Sequence, residues 1–261
     1  MKIAVLYIAT GKYIVFWKDF FTSSEKFFIP GSTKEYFVFT DATEFEFSNN
    51  PQVHTISHQK LGWPYDTLLR FQVFLKAKEQ LVNCDYIFFF NANMQFVQTI
   101  TAAEFLPDGK TDDGLVATLH PRFFNKPREK FTYEDQQTTS LAYVDKSKGK
   151  NYFMGGLNGG TCKAYMKLIE ELDKNIQLDL EKNVIARWHD ESHLNHYMID
   201  KNPKILSPAY GYPQGKDLPF KPKIIIRDKN RYGGHDFLRG DNVNRPILRS
   251  IKQFFKTLLG K

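Results

Sequence analysis

The feature that most restricts the fold is the run Tyr86-Ile-Phe-Phe-Phe90, with Cys84-Asp85 before it and Asn91-Ala-Asn93 after it. A run this short and this apolar suits a strand buried on both faces, the place of a central strand in a sheet flanked by helices. The preceding stretch, 65–82, carries Leu68, Leu69, Phe71, Val73, Phe74 and Leu75 as an imperfect helical stripe, which predicts a helix packed on that strand. Further strand-like runs at 2–9, 36–40, 53–56 and 115–119 have helix-like patterns between or after several of them. Later helices are predicted at 162–174 and around 189–200, followed by a loop rich in Pro and Gly over 203–222. This alternation argues for an α/β sheet. With 261 residues and no repeat or low-complexity segment, one domain is expected.

Hydrophobic residues make up 42% of the chain, yet no stretch reaches the roughly 18 apolar residues of a membrane span. The apolar run at 3–9 continues into patterned sequence without a small-residue cleavage site, so it reads as a first buried strand and not a signal peptide. Cys84 and Cys162 are too few for a disulfide framework or a structural zinc site, and a reducing cytoplasm is the expected compartment. The net charge of +7 is unevenly spread: residues 216–261 hold twelve Lys and Arg against four Asp, a net of +8, and leave −1 for the other 215. A basic tail of this kind suits a phosphate, an anionic membrane surface or nucleic acid, but no zinc finger, RRM signature or arginine-rich recognition helix accompanies it, so nucleic acid is not an expected partner.

Three motifs carry chemistry. Asn91 and Asn93 follow the apolar run directly, where ligands of open α/β sheets bind, although Asn also terminates strands through its own side-chain hydrogen bonds. YFMGGLNGG pairs Gly155 with Gly156 and Gly159 with Gly160; it fits neither the Walker pattern nor the dinucleotide fingerprint, and a plain turn explains it as well as a ligand loop does. WHDESHLNHY sets His189, His193 and His196 on one face of a helix, which raises a zinc hydrolase as an alternative. A zincin requires Glu immediately after the first His, however, and Glu191 falls about 200° around the wheel from His189. Packed or capping histidines account for the motif better, with Asp190 and Glu191 favoured near a helix start.

Taken together, these motifs resemble glycosyltransferase family six, the family of the mammalian blood-group A and B transferases and the α1,3-galactosyltransferase, and particularly its bacterial members. The likeness runs from about residue 8 to residue 231 through IATGKY, FVFTD, GWPYDTLLRF, NAN in place of the family's DXD, TLHPRFFNKPREKFTYE, YFMGGLNGG and WHDESHLNHY. It implies a single-domain GT-A fold, Rossmann-like, with a mixed, mainly parallel sheet over residues 1–231, a mobile C-terminal segment and a basic tail over 232–261. The substrates it implies are a UDP-sugar donor and an oligosaccharide acceptor, galactose-terminated and fucosylated, with retention of configuration. Lacking the hydrophobic anchor and stem of the Golgi enzymes, the chain is expected to be the bacterial form, whose catalytic domain stands alone.

Carried over residue by residue, the resemblance makes Glu191 the carboxylate beside the anomeric carbon, either a nucleophile or an electrostatic support. Ile8, Thr10, Tyr13, Arg70, Asn91, Asn93, Met154, Gly155, Gly156 and Asp190 become donor contacts. His120, Thr132 and Trp188 become acceptor contacts, and Lys229 and Arg231 belong to the segment that closes over the diphosphate. Gly156 leaves space for a C2 acetamido group and favours UDP-N-acetylgalactosamine, while Met154 resembles the galactose-preferring arrangement. LSPAYGYP at 206–213 stands where the animal enzymes carry acidic residues that help hold the acceptor. The animal enzymes also hold manganese at DXD; Asn91 and Asn93 offer only neutral carbonyls to a hard cation, so no divalent metal and no cofactor is expected. A carbohydrate-binding module would explain the aromatic residues but neither Glu191 nor the basic closing segment. Beyond the resemblance, Ile247, Leu248, Ile251, Phe254, Phe255, Leu258 and Leu259 repeat at helical spacing among Arg245, Arg249, Lys252, Lys256 and Lys261. That pattern predicts an amphipathic helix over 244–261 that docks on the inner face of an anionic membrane, or on protein.

Overall fold

The computed structural model describes residues 1–240. The helix expected over 244–261 lies outside the described residues. Ten strands are present among them: β1 Lys2–Ile8, β2 Thr33–Thr40, β3 Val53–Ser57, β4 Tyr86–Phe90, β5 Met94–Phe96, β6 Leu115–Leu119, β7 Phe153–Thr161, β8 Lys204–Leu206, β9 Tyr212–Pro213 and β10 Ile224–Ile226. The helices are α1 Trp17–Phe27, α2 Tyr65–Leu68, α3 Arg70–Leu75, α4 Lys78–Leu81, α5 Ala102–Phe105, α6 Cys162–Glu181, α7 Asp190–Tyr197 and α8 Gly234–Arg239. Seven strands form one sheet in the order β3-β2-β1-β4-β7-β6-β8, in which β7 runs against the other six. The fold is thus the mixed, mainly parallel α/β sheet expected. Strand β4 sits in its middle, as its apolar run requires.

Alternation along β1 and β4 builds two cores. Ile3, Val5, Tyr7, Phe88 and Phe90 face α1, where they meet Trp17, Phe20 and Phe28. Ala4, Leu6, Ile87 and Phe89 face the other way onto Phe71, Phe74, Tyr165, Leu168 and Ile169 of α3 and α6. Each fully buried phenylalanine contributes on the order of 2 kcal/mol, so both faces resist displacement. Chain order reverses at β1: β2 and β3 lie to one side and β4 to the other. The crevice at the carboxyl ends of β1 and β4 is therefore the switch point where α/β sheets take their ligands.

Two local expectations are corrected. The predicted helix over 65–82 is three short helices, broken at Leu69 (φ −92°, ψ 16°) and at Ala77 (φ −104°, ψ 9°). The break at Leu69 starts α3 at Arg70, whose side chain turns into the protein. YFMGGLNGG is not a turn but most of strand β7. Gly159 sits opposite Phe88, and a Cβ there would overlap the Phe88 ring and the Ile87 carbonyl oxygen. Absent side chains let β7 lie flat against the phenylalanines of β4, and pairing overrides the low strand preference of glycine.

A second sheet of β5, β10 and β9 brings the C-terminal chain back over the crevice. Asn93 and Arg227 exchange bonds there: Arg227 N–H donates to the Asn93 carbonyl (2.8 Å) and Asn93 Nδ2 to the Arg227 carbonyl (2.7 Å). Beyond it, α8 packs on the turn after β1. Gly11 has φ +62°, and a Cβ there would sit 3.0 Å from the Leu238 and Arg239 carbonyl oxygens, so only glycine suits this approach. No helix among the described residues is long and apolar enough to cross a membrane.

Candidate active site

Two clefts of about 220 and 200 Å³ open at the switch point and share Trp63, Thr67, Arg70 and Asn91. The first is bordered by Ile8, Thr10 and Tyr13 after β1, by Asn91 and Asn93 after β4, and by Lys229, His235 and Arg239 of the returning chain. Lys60 and Arg70 complete a cationic rim in which Asp66 is the acid. Burial, with Arg239 and Arg70 nearby, pushes the Lys229 ammonium down to about 8, and its Nζ lies 5.1 Å from the centre of the Tyr13 ring. A group destabilised in this way gains from an anion brought beside it. The second cleft is bordered by Gly155 and Gly156 of β7, by Trp188 and His189, and by Asp190 and Glu191.

Glu191 is fixed at both oxygens. Oε2 accepts from the Gly155 N–H at 2.7 Å and Oε1 from the Tyr152 hydroxyl at 3.0 Å. Burial pushes the Glu191 carboxyl up to about 7, assisted by the Asp190 charge and opposed by the Gly155 and Tyr152 bonds. Burial likewise pushes the Asp190 carboxyl up to about 6, although its Oδ2 lies 2.9 Å from Arg70 Nη1, which pulls it down. Arg70 Nη1 also donates to the Gly155 carbonyl (2.7 Å), which accepts a second bond from Asn158 Nδ2 (3.0 Å); the Tyr165 hydroxyl donates in turn to Asn158 Oδ1. Arg70 thus joins α3, β7 and α7 at one point. Its Nε is buried without a partner and its guanidinium lies over the Phe89 ring at 4.4 Å.

The turn that delivers these carboxylates is strained. His189, the residue before α7, has φ 53°, a region that side chains bearing Cβ seldom occupy. Trp188 N–H donates to Ser192 Oγ (2.9 Å), and the His189 ring meets the edge of Trp63 at 4.6 Å. The three histidines of the motif diverge: His189 meets Trp63, His193 is buried beside Asp179, and His196 Nδ1 faces the Tyr143 carbonyl. Among the described residues no group of three His, Cys, Asp or Glu could hold a metal ion.

Not every expected residue borders a cleft. Met154 is buried behind Gly156, with its Cε 2.9 Å from where a Gly156 Cβ would lie. Arg231 is exposed, two residues past Lys229. His120 and Thr132 border neither cleft and adjoin Tyr152, whose ring is 5.8 Å from that of His120 and whose hydroxyl is 3.5 Å from the Thr132 carbonyl. Burial and Arg122 push His120 down to about 4; its Nδ1 accepts from the Arg122 N–H, which leaves the Nε2 hydrogen to donate. Sequence reasoning missed Tyr152, Trp63, His235 and Arg239. Tyr152 opens a motif whose signal is its glycines and Met154, and Arg239 belongs to a tail whose sequence signal is charge.

Among known proteins, the chain is 37% identical over 231 residues to the O-antigen biosynthesis glycosyltransferase WbnI of Escherichia coli, covering 88% of this chain and 96% of that one. It is 32% identical over 224 residues to the histo-blood group ABO system transferase 1 of Rattus norvegicus, covering 81% of this chain and 61% of the relative. To the globoside alpha-1,3-N-acetylgalactosaminyltransferase 1 of Homo sapiens it is 30% identical over 237 residues, 86% of this chain and 65% of the relative. The chain therefore spans less than two thirds of the length of these two mammalian relatives. Residues 1–231 match the family model of glycosyltransferase family 6, and the chain belongs to that family of enzymes, which move a sugar from a nucleotide-sugar donor to a glycan acceptor.

Proposed function

We propose that the protein is a retaining α1,3-glycosyltransferase that moves N-acetylgalactosamine from UDP-N-acetylgalactosamine to a galactose-terminated, fucosylated oligosaccharide, without a divalent metal ion. The observation that carries the reading is the Glu191 carboxylate, fixed by Gly155 N–H and Tyr152 OH in a cleft that shares Arg70 and Asn91 with a cationic neighbour. The cationic cleft takes the diphosphate and the other takes the sugar. In transfer the anomeric C–O bond to phosphate breaks, UDP leaves with the electron pair, and the acceptor hydroxyl oxygen forms the new bond and passes its proton to the departing phosphate. Positive charge develops on the sugar and negative charge on the leaving group, so a carboxylate under one and cations around the other stabilise the transition state. Lys229, Arg70 and their neighbours supply in fixed positions the charge that a metal would otherwise supply. The choice of N-acetylgalactosamine rests on Gly156; galactose is the other donor the site suits. A screen of UDP-sugars against fucosylated and plain galactosides, read by product mass, tests reaction, donor and acceptor together; absence of any transfer product would overturn the reading.

The membrane role belongs to the same proposal. Residues 244–261 dock on an anionic bilayer, supported by an apolar repeat interleaved with five Lys and Arg and free of acidic residues.

A further inference from the structure

Glu134 is 1% exposed and lies outside both clefts. A carboxylate so deep needs donors, and it has them from two segments. Oε1 accepts from the N–H groups of Gln136 (3.3 Å) and Gln137 (3.1 Å), which fold the loop after Thr132. Oε2 accepts from the Arg187 N–H at 2.6 Å and from Gln137 Nε2 at 3.4 Å, and Gln137 Nε2 also donates to the Ile185 carbonyl (3.1 Å). Arg187 is two residues before the strained His189 and four before Glu191. On the other side of Arg187, Ser192 Oγ takes the Trp188 N–H. The backbone entering α7 is thus held at two successive amides, Arg187 and Trp188, directly before the left-handed His189.

The same loop is tied down at its far end: the Val144 N–H donates to the Glu134 carbonyl (2.7 Å), while buried Asp179 accepts from Ser140 Oγ (2.6 Å) and the Leu141 N–H (2.9 Å). Thr132 lies just ahead of this staple, and its carbonyl is 3.5 Å from the Tyr152 hydroxyl that donates to Glu191. We infer that Glu134 is a positioning residue that sets the acceptor-side segment around Thr132 in register with the turn bearing Asp190 and Glu191. The inference rests on the proposed function, with Glu191 as the carboxylate at the reacting carbon and the Thr132 segment on the acceptor side. It needs no contact between Glu134 and substrate. Its consequence is coupling: with the register loosened, the donor is still bound and cleaved, but the acceptor hydroxyl is misplaced and water takes its share of the sugar.

The test compares Glu134→Gln, Gln137→Ala and Glu191→Gln in the full chain. UDP-N-acetylgalactosamine is the donor, a fucosylated galactoside the acceptor, and hydrolysis without acceptor is measured beside transfer. Glu134→Gln sets an NH2 against either the Arg187 N–H or the N–H groups of Gln136 and Gln137, and so breaks one arm of the staple; the expected result is an acceptor KM raised roughly tenfold and a transfer-to-hydrolysis ratio lowered by a similar factor, with the donor KM nearly unchanged. Gln137 is exposed, so its replacement leaves the core intact and gives a smaller shift in the same direction even if Glu134→Gln folds poorly. Wild-type ratios and acceptor KM in Gln137→Ala and in folded Glu134→Gln overturn the inference, as does an equal loss of transfer and hydrolysis. Full activity in Glu191→Gln would instead overturn the site reading on which it rests.

Discussion

Tyr152 sets its hydroxyl 3.0 Å from Glu191 Oε1 and 3.5 Å from the Thr132 carbonyl, so the proposed catalytic carboxylate and the proposed acceptor side adjoin one ring. The phenol stays protonated, pushed far up by burial and by Glu191, and its hydrogen bond offsets part of the burial that leaves the Glu191 carboxyl at about 7. Tyr152→Phe removes that bond. The acid limb of the kcat/KM profile, expected near pH 7 because Glu191 acts ionised, then moves up by about one unit. An unmoved limb in the variant would assign it to another group.

Glu191→Gln keeps the shape and loses the charge. The expected loss is on the order of 3–4 kcal/mol of transition-state stabilisation, or roughly 10²–10³ in kcat. Stability moves the other way. A carboxyl raised in the folded state stabilises the fold below its unfolded value of 4.5, and that contribution is lost as pH rises through about 7. The variant is accordingly expected to match wild type in thermal unfolding at pH 4 and to exceed it at pH 8, by up to about 3 kcal/mol. A variant less stable than wild type at pH 8 contradicts the assigned burial cost.

Activity is expected to survive EDTA and to gain nothing from manganese, because the groups after β4 are amides and the surrounding charge is cationic. Lys229→Ala should raise the donor KM by roughly 10- to 100-fold, the worth of a charge-assisted bond. Binding of UDP to the wild type should also weaken above pH 8, as the ammonium loses its proton. Titration calorimetry with UDP across pH 7–9.5 measures this directly.

Gly156→Ala is expected to move donor preference from N-acetylgalactosamine toward galactose. An added Cβ would lie 2.6 Å from Asn91 Nδ2 and 2.9 Å from Met154 Cε, so both side chains must give and the cleft wall at Asn91 changes shape. Competition between the two UDP-sugars gives the ratio; an unchanged ratio rules out Gly156 as the selector.

Full-length protein is expected to sediment with anionic vesicles at low salt and to be released at high salt, whereas a chain ending at Asp241 stays in solution. Equal, salt-insensitive recovery of both in the supernatant rejects membrane docking through 244–261.

The sequence by itself determined the sheet and the place of its mouth. The apolar run at Tyr86–Phe90 can only be satisfied by cover on both faces, and the amides that end it lie at the strand's carboxyl end wherever the strand goes. Helices α6 and α7 were legible for the same reason, since periodicity is a local property. Glycines could not be read this way: whether Gly159 makes a turn or admits a phenylalanine depends on Phe88, 71 residues earlier in the sequence, which pairing alone brings opposite it. Contacts between distant segments were hidden likewise, with Tyr152 against Glu191, Arg70 against Asp190 and Glu134 against the Arg187 amide. Residue types fix what each group can donate or accept. Only the packed chain decides which donor meets which acceptor, and how far burial shifts the proton on Glu191.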